Sequence, residues 1–192
     1  MNRADPRDVA ADDLGAASER HRLSRELATT DLALHRYRLA PGDGLPGGLH
    51  AHADQEEVFV VLAGTATFET PEAPGDRVTV SAGEAVRFAP GEFQSGWNRG
   101  DADCVVLALG APRESEDTRV PIPCPDCGHG DLRLALDGAD PTLDCPDCGA
   151  AHVPEPCPDC GDGELLVRLD DEGGTQVVCE DCASTFAGAP LG

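Results

Sequence analysis

The sequence contains no lysine, and its 14 basic residues, all of them arginines, stand against 36 acidic residues. The formal net charge is therefore −22. A nucleic-acid phosphate backbone is bound through a basic surface, so this charge makes nucleic acid an unexpected partner. The acidic residues are spread over the whole chain, which argues against a single disordered acidic tail.

Long apolar runs are also absent. No stretch approaches the roughly 20 residues that span a membrane, and residues 1–30 carry acidic residues and arginines throughout instead of the apolar segment of a signal peptide. We therefore expect a cytoplasmic protein without membrane contact. Because an acidic surface stays solvated in concentrated salt, the composition resembles that of a halophilic archaeal protein. An acidic protein from an ordinary cytoplasm is the alternative.

Aromatic residues make up only 4% of the chain, whereas glycine occurs 22 times and proline 16 times. So many turn-forming residues favour an all-β fold over a helical bundle. Short apolar or alternating runs separated by turn residues predict an antiparallel sandwich or barrel in residues 31–112. The predicted strands are 32–39, 57–62, 65–70, 77–81, 85–88 and 103–109, with a turn at 71–76.

The domain organisation follows from changes in composition along the chain. Residues 1–30 are weakly patterned, and their charges are compatible with a short solvated helix. Residues 113–122 read as a charged linker flanked by prolines. Beyond the linker, a unit of Cys pair, strand, turn, strand and Cys pair occurs twice. These repeats define two small β-hairpin modules, at 123–150 and 151–192.

Eight of the nine cysteines are arranged as four C-x-x-C pairs, with 17 residues between the first two pairs and 18 between the last two. Zn²⁺ takes four tetrahedral thiolates, and a hairpin of this length returns the second pair of a module to the first. We therefore expect two structural Zn²⁺ ions. Their ligands are Cys124, Cys127, Cys145 and Cys148 in the first module, and Cys157, Cys160, Cys179 and Cys182 in the second.

The residues around these pairs support tight metal-binding turns. Gly128, Gly149 and Gly161 follow the first three pairs, where a positive φ is often needed. The last pair, Cys179 and Cys182, is followed by alanine, and we expect a looser turn there. The two modules resemble rubredoxin-like zinc ribbons. Their metal has a structural role because such modules are too small for a core of their own. Iron bound by four thiolates is the alternative.

A second metal-binding pattern precedes the cysteines. Its marked residues are Gly44, His50, His52, Glu57 and Gly64, separated by five, one, four and six residues. This spacing matches the first cupin motif at every marked position. Residues 31–112 therefore resemble a single-domain cupin, and the resemblance implies a jelly-roll-like β-barrel.

The residue types of this motif suit one divalent cation. His50 and His52 are two residues apart, so on a strand both side chains point to one face. Glu57 opens the next strand and supplies a carboxylate oxygen, with the neighbouring Glu56 as the fallback ligand. Two His and one carboxylate leave coordination positions open for water or substrate, and they suit Mn, Fe, Ni or Zn. A pair of metal-free loop histidines is the alternative.

Residues 83–98 resemble the second cupin motif in a degenerate form. Gly83, Gly91 and Asn98 match it, whereas Gln94 occupies the position of the family's last His ligand. A Gln carbonyl is a weak neutral ligand. Gln94 is therefore either the fourth ligand or a residue that supports a three-ligand site.

The cupin resemblance implies a small molecule bound in the barrel and often a homodimer. If the protein is an enzyme, the implied reaction is of the dioxygenase or isomerase type. Tyr37, Arg87 and Trp97 are candidate ligand contacts. The alternative function is a non-catalytic sensor or adaptor whose ribbons dock onto a partner protein, since two ribbons exceed what the stability of a small barrel requires. Contact of the ribbons with nucleic acid has least support, because they contain only Arg133 and Arg168.

Overall fold

The computed structural model describes residues 1–14, 18–71, 77–136, 140–170 and 172–192. In this part the chain is all-β. The strands in chain order are β1 (Ala11–Asp13), β2 (Glu19–Arg22), β3 (Ala33–Leu39), β4 (Ala51–His52), β5 (Glu56–Ala63), β6 (Thr65–Glu69), β7 (Arg77–Ser81), β8 (Ala85–Phe88), β9 (Ser95–Trp97), β10 (Cys104–Ala111), β11 (Thr118–Val120), β12 (Leu132–Ala135), β13 (Thr142–Asp144), β14 (Ala151–His152), β15 (Leu165–Leu169), β16 (Thr175–Cys179) and β17 (Thr185–Phe186).

Helical structure in the described ranges is confined to a 3-10 helix, Pro6–Asp8, and one α-helix, α1 (Leu23–Leu27). Within these ranges, neither helix has the length or apolar character needed to cross a membrane. The six strands predicted between residues 31 and 112 are all present. Of the predicted turn at 71–76, residues 72–76 lie outside the described ranges.

Two antiparallel sheets pack face to face and form a barrel. The larger sheet has the strand order β1-β2-β3-β10-β5-β8, and the smaller one has the order β7-β6-β9. Along β10 the side chains alternate between buried and half-buried positions, as expected of a strand with one face on a core. The barrel core centres on Phe59, Phe68 and Phe88, whose ring centroids lie 5.0 to 6.1 Å apart.

The N-terminal segment differs from its sequence-based interpretation. A short solvated helix was compatible with residues 1–30, but β1 and β2 extend the larger sheet, and α1 is the one α-helix among residues 1–14 and 18–30. Strand β2 pairs with β3 so that Arg20 lies opposite Tyr37 and Arg22 opposite His35. Because β2 carries polar side chains on both faces, it lacks the apolar alternation that identifies a strand.

The first cysteine module is joined to the barrel through one continuous sheet. Its strands follow the order β14-β13-β12-β11-β4, so β11 pairs with the module on one side and with β4 of the barrel on the other. In that register Thr118 lies opposite His52, and Arg119 lies opposite Ala51. The segment expected as a linker, 113–122, thus contributes a strand shared by both parts of the molecule.

The second module packs on the same region. Its three-stranded sheet has the order β15-β16-β17. The backbone N–H of Leu49 donates a hydrogen bond of 2.7 Å to the carbonyl of Val167 in β15. Leu49 is fully buried in a second apolar core formed with residues of both modules. Members of that core from the linker and the modules include Ile122, Leu132, Leu143, Val167 and Val177.

Candidate metal centre

His50, His52 and Glu57 come together at one end of the barrel. His52 ends β4 and Glu57 is the second residue of β5, while His50 precedes β4 and pairs with Gln94 through two backbone hydrogen bonds. One ligand atom from each of the two histidines and the glutamate lies within 4.8 Å of the other two. The gap between His52 Nε2 and Glu57 Oε1 is 3.8 Å, less than twice a metal–ligand bond of about 2.1 Å.

Both histidines are held through the ring nitrogen that a metal does not need. His50 Nδ1 lies 3.0 Å from the carbonyl of Gly48, and His52 Nδ1 lies 3.0 Å from Ser115 Oγ and 3.2 Å from Thr118 Oγ1. Donation from Nδ1 places the lone pair on Nε2 and orients the ring, as in metal-binding histidines. Ser115 and Thr118 belong to the segment expected as a linker, so this segment helps to position His52.

Burial shifts the pKa values of His50, His52 and Glu57, and their protonation states decide whether they can bind a metal. It lowers the pKa of His50, and it lowers that of His52 to about 4, with a smaller contribution from the neighbouring His50. Both imidazoles are therefore neutral near pH 7, as metal ligation requires. Burial raises the pKa of Glu57 to about 7, against a hydrogen bond from Gln94 that lowers it. A cation beside Glu57 would favour its charged form.

Gln94 is almost fully buried, with 2% of its surface exposed. Its Nε2 donates a hydrogen bond of 3.1 Å to Glu57 Oε2. Its Oε1 has no hydrogen-bond partner among the described residues. A buried amide oxygen without a partner is costly, so this atom fits a site that holds a further polar group or cation. The donor set of two neutral imidazoles, a carboxylate and an amide oxygen therefore suits a divalent metal.

The remaining predicted contacts divide between the site and the surface. Tyr37 lines the cavity described below. Glu56, the fallback ligand, is not part of the group formed by the two histidines and Glu57; it pairs with Arg87 at 2.6 Å, and both side chains are exposed. Trp97 lies under Arg168 of the second module, whose Cζ is 4.6 Å from the ring centroid. Neither Arg87 nor Trp97 is among the described residues that line the cavity.

The candidate metal ligands line a cavity of about 520 Å³. Its walls include residues from the barrel, the N-terminal strands and the first module. Sequence analysis missed the three basic side chains of this wall other than His50 and His52, namely Arg20, His35 and Arg113. Arg20 lies in the weakly patterned N-terminal segment and Arg113 begins the expected linker. No local sequence signal associates either arginine with the metal motif. Pairing of β2 with β3 places Arg20 at the cavity, and the chain that leaves β10 places Arg113 there.

The eight paired cysteines form two groups in sequence order. Each group brings four sulfur atoms within 4.8 Å of one another. Measured Sγ–Sγ distances are 3.8 Å for Cys124–Cys148 and 3.5 Å for Cys127–Cys145. A tetrahedral ion with metal–sulfur bonds of about 2.3 Å separates its ligands by about 3.8 Å. The sulfurs are too far apart for disulfides, which measure about 2.05 Å.

The second group has the same geometry, with 3.7 Å between Cys157 and Cys182 and 3.6 Å between Cys160 and Cys179. Its last turn keeps the backbone shape of the others, although a glycine is missing. Ala183 takes φ 58°, close to the φ of 76° to 81° at the three glycines that follow the other pairs. Its N–H donates to the carbonyl of Cys179 at 3.0 Å. The turn is therefore strained rather than looser.

Comparison with known proteins identifies the barrel. Residues 35–110 match the family profile described as Cupin domain. The polyketide cyclase RemF from Streptomyces resistomycificus is similar with a TM-score of 0.55 and 23% identity, over 66% of this chain and 89% of that one. At this identity the likeness shows the fold alone, and it agrees with the cupin fold indicated by the profile.

Two further solved structures are similar over more than half of the chain. KdgF from Halomonas sp. has a TM-score of 0.47 and 20% identity, over 56% of this chain and 90% of that one. The protein TT1209 from Thermus thermophilus has a TM-score of 0.49 and 18% identity, over 59% of this chain and 100% of that one. No curated protein matches the chain.

Proposed function

Starting from the cupin domain at residues 35–110, we propose that this protein is a metal-binding cupin that binds or transforms a small molecule in its cavity. The observation that carries the proposal is the convergence of His50, His52 and Glu57 at a cavity of about 520 Å³. Cavities of this size accommodate small ligands. In this proposal residues 31–112 carry the candidate metal ligands. The N-terminal strands, the segment 113–122 and the module at 123–150 complete the cavity, and the module at 151–192 supports it.

We propose His50, His52 and Glu57 as the ligands of one divalent metal, with Gln94 supporting them. The hydrogen bond from Gln94 Nε2 to Glu57 fixes the carboxylate, while Gln94 Oε1 is available to a water or to the ion itself. When bound, such a metal supplies Lewis-acid polarisation of substrate oxygens. The ligand set suits Mn, Fe, Ni or Zn. A reaction of the dioxygenase or isomerase type remains our proposal for an enzymatic role.

We propose that each cysteine group holds one structural Zn²⁺ and that the two ribbons stabilise the cupin site. The first ribbon pairs through β11 with β4, the strand that carries His52. The second accepts the backbone hydrogen bond of Leu49, the residue before His50. Apolar side chains of both ribbons pack around Leu49. The ribbons therefore contribute to the same core as the loop that carries the candidate ligands.

The adaptor function, in which the ribbons dock onto a partner protein, has less support. The apolar side chains that would be available to a partner are largely used within the chain. Val153 is an exposed apolar residue of the described ribbon regions, and Leu136 also lines the cavity. Co-purification of a stoichiometric protein that is lost on deletion of residues 121–192 would favour the adaptor over the cupin-centred function.

Metal content per chain tests the proposal directly. The full chain, purified without chelator or His-tag, is analysed by elemental mass spectrometry beside a double variant, His50→Ala/His52→Ala. The matched control is His129→Ala, because His129 is a half-exposed histidine outside the His50–His52–Glu57 group and the two four-cysteine groups.

We expect three metal ions per chain in the wild type and in the control, one for each proposed site, with two of them zinc. The double variant should keep two zinc ions and lose the third ion. A wild-type chain with zinc in the ribbons and nothing else would overturn the metal-binding cupin. Retention of the third ion by a folded double variant would assign it to other residues.

A further inference from the structure

The cavity above the candidate metal centre has a basic wall, although the chain carries a net charge of −22. Arg20 and Arg113 both line it. Arg22 and Arg25 line a smaller cavity of about 140 Å³ that shares Arg113 and His35 with the first. Four of the 14 arginines are therefore gathered around two adjoining cavities. A cleft with one sign of charge concentrates ligands of the opposite sign.

Strand pairing directs this charge toward the cavity. Arg20 lies opposite Tyr37 in the β2–β3 register, and directly opposed residues project from the same face of a sheet. Tyr37 and Phe59 line the cavity from that face. The Arg20 side chain is only 21% exposed. It therefore lies against the cavity wall rather than extending into solvent.

The acidic partners of these arginines do not balance their charge. One carboxylate oxygen, Asp12 Oδ2, accepts from both Arg20 at 2.9 Å and Arg22 at 2.7 Å. Arg113 pairs with Glu114 at 3.2 Å, but the Glu114 side chain is 80% exposed and such a pair contributes little. Two guanidinium groups share one carboxylate. The third, Arg113, pairs with an exposed glutamate and also donates to the neutral carbonyl of Thr29 at 2.5 Å, which leaves its charge largely uncompensated. The wall therefore has donors and positive charge to offer a ligand.

His35 adds an unused polar atom to the same wall. Its Nδ1 is buried and has no hydrogen-bond partner among the described residues. Burial lowers the pKa of His35, and the nearby Arg20 and Arg22 lower it further. The ring is therefore neutral near pH 7 and can exchange one hydrogen bond with a ligand oxygen or N–H.

A second part of the cavity lining is apolar and comes from the first ribbon and the segment before it. Val120, Leu134 and Leu136 line it, together with Leu45 of the barrel. Leu136 is 72% exposed. A ligand that covers this leucine removes apolar surface from water, and this contributes favourably to the free energy of binding. The cavity thus has a basic side, an apolar side and a candidate metal centre.

We propose that the ligand is a small organic acid whose carboxylate pairs with Arg20 and Arg113 and whose apolar body packs on Leu134 and Leu136. Guanidinium groups and carboxylates match in geometry and charge. The proposal rests on the proposed function only for the part of the ligand that reaches the metal. The pairing with the arginines does not require a metal.

Hexanoate and hexanamide are suitable probes because they share a chain and differ in charge. Binding is measured by titration calorimetry on the full chain, with and without added Mn²⁺, and inorganic phosphate serves as a compact anion. The test variant is Arg20→Gln/Arg113→Gln. Its control is Arg7→Gln, since Arg7 is also paired with an aspartate but is 85% exposed and is not among the described residues that line the cavity.

We expect hexanoate to bind about tenfold or more tightly than hexanamide, the preference that a charge-assisted hydrogen bond confers. The double variant should lose this preference while keeping the metal content of the wild type, and Arg7→Gln should retain it. Equal binding of acid and amide, no binding of either, or tighter binding of phosphate than of hexanoate would each overturn the proposal. A wild-type chain that holds no third metal ion but still binds hexanoate more tightly than hexanamide would refute only the proposed metal function.

A second variant protects the test against misfolding of the double variant. Leu136→Ser changes an exposed side chain, so the fold should tolerate it. It should weaken hexanoate binding severalfold and leave acetate binding unchanged, because acetate has no chain to cover the apolar wall. Equal effects on both acids would show that the apolar wall is not used.

Discussion

At the scale of single residues, Gln94 determines how Glu57 is presented. Its amide donates to the carboxylate from a fully enclosed position. Replacement of Gln94 by Ala removes this hydrogen bond, and we expect the affinity of the third metal ion to fall about 10–100-fold, the usual cost of losing an orienting partner. Competition with a fluorescent chelator measures it. Affinity equal to that of the wild type would show that Glu57 is held by other contacts.

Ala183 is a second residue of interest, because its backbone conformation lowers the stability of the folded protein. Its φ of 58° lies in the left-handed region, which disfavours side chains by about 1–2 kcal/mol. Glycine removes this strain but increases the freedom of the unfolded chain. We expect Ala183→Gly to stabilise the zinc-loaded protein by about 0.5–1 kcal/mol in denaturant unfolding. The reverse change at the matching position, Gly161→Ala, should destabilise it; a loss of stability in both variants would contradict the strained turn.

At the scale of elements, the contact between the loop before β4 and strand β15 connects the second ribbon to the candidate metal centre. Gly48 has φ +63°, and a Cβ atom there would lie 2.7 Å from the carbonyl of Val167. Gly48→Val must therefore displace β15 or the loop that carries His50. We expect a loss of about 2 kcal/mol in unfolding free energy, together with weaker binding of the third metal ion.

Gly42→Val is the matched control for this prediction. Gly42 also has a positive φ, +89°, but a Cβ atom there meets nothing within 4 Å. Both variants carry backbone strain, and only Gly48→Val adds the clash. The difference between them isolates the contact with β15. Equal metal affinity in the two variants would show that docking of the second ribbon does not influence the metal centre.

At the scale of the whole molecule, the ribbons and the barrel share a sheet and a core. We therefore expect loss of zinc to lower the stability of the barrel and its affinity for the third metal ion. Cys127→Ser/Cys148→Ser removes two exposed members of the first cysteine group and should abolish the zinc site proposed there, because small zinc modules fold only with their metal. The double variant should also bind the third metal ion more weakly, since β11 pairs with the His52 strand.

Elemental analysis and thermal unfolding measure both effects. Cys160→Ser/Cys182→Ser in the second group is the comparison: it should remove one zinc ion as well, with a smaller effect on the third ion. That ribbon reaches the site through the hydrogen bond of Leu49 and the shared core rather than through strand pairing with β4. An unchanged third ion in both variants would show that the barrel folds independently of the ribbons.

Several features of this protein follow from local sequence. The grouping of the cysteines depends on C-x-x-C turns joined by short hairpins. His50 and His52 face the same way because alternate residues on a strand do so. The barrel strands could be predicted because one face of each packs on a core, which leaves an alternation of apolar and polar residues in the sequence. Metal type, reaction and substrate stay predictions, because no residue pattern specifies them.

The tertiary structure alone decided which distant residues meet. Arg20 and His35 reach the metal-centre cavity through pairing of β2 with β3, and Arg113 reaches it from a segment that was predicted as a linker. The strand shared between ribbon and barrel could not be predicted from the sequence either, because β11 is only three residues long and has no apolar alternation. Sequence patterns record whether a side chain faces a core or solvent. They do not record which polar side chains face each other across a cavity, and that is set by long-range packing.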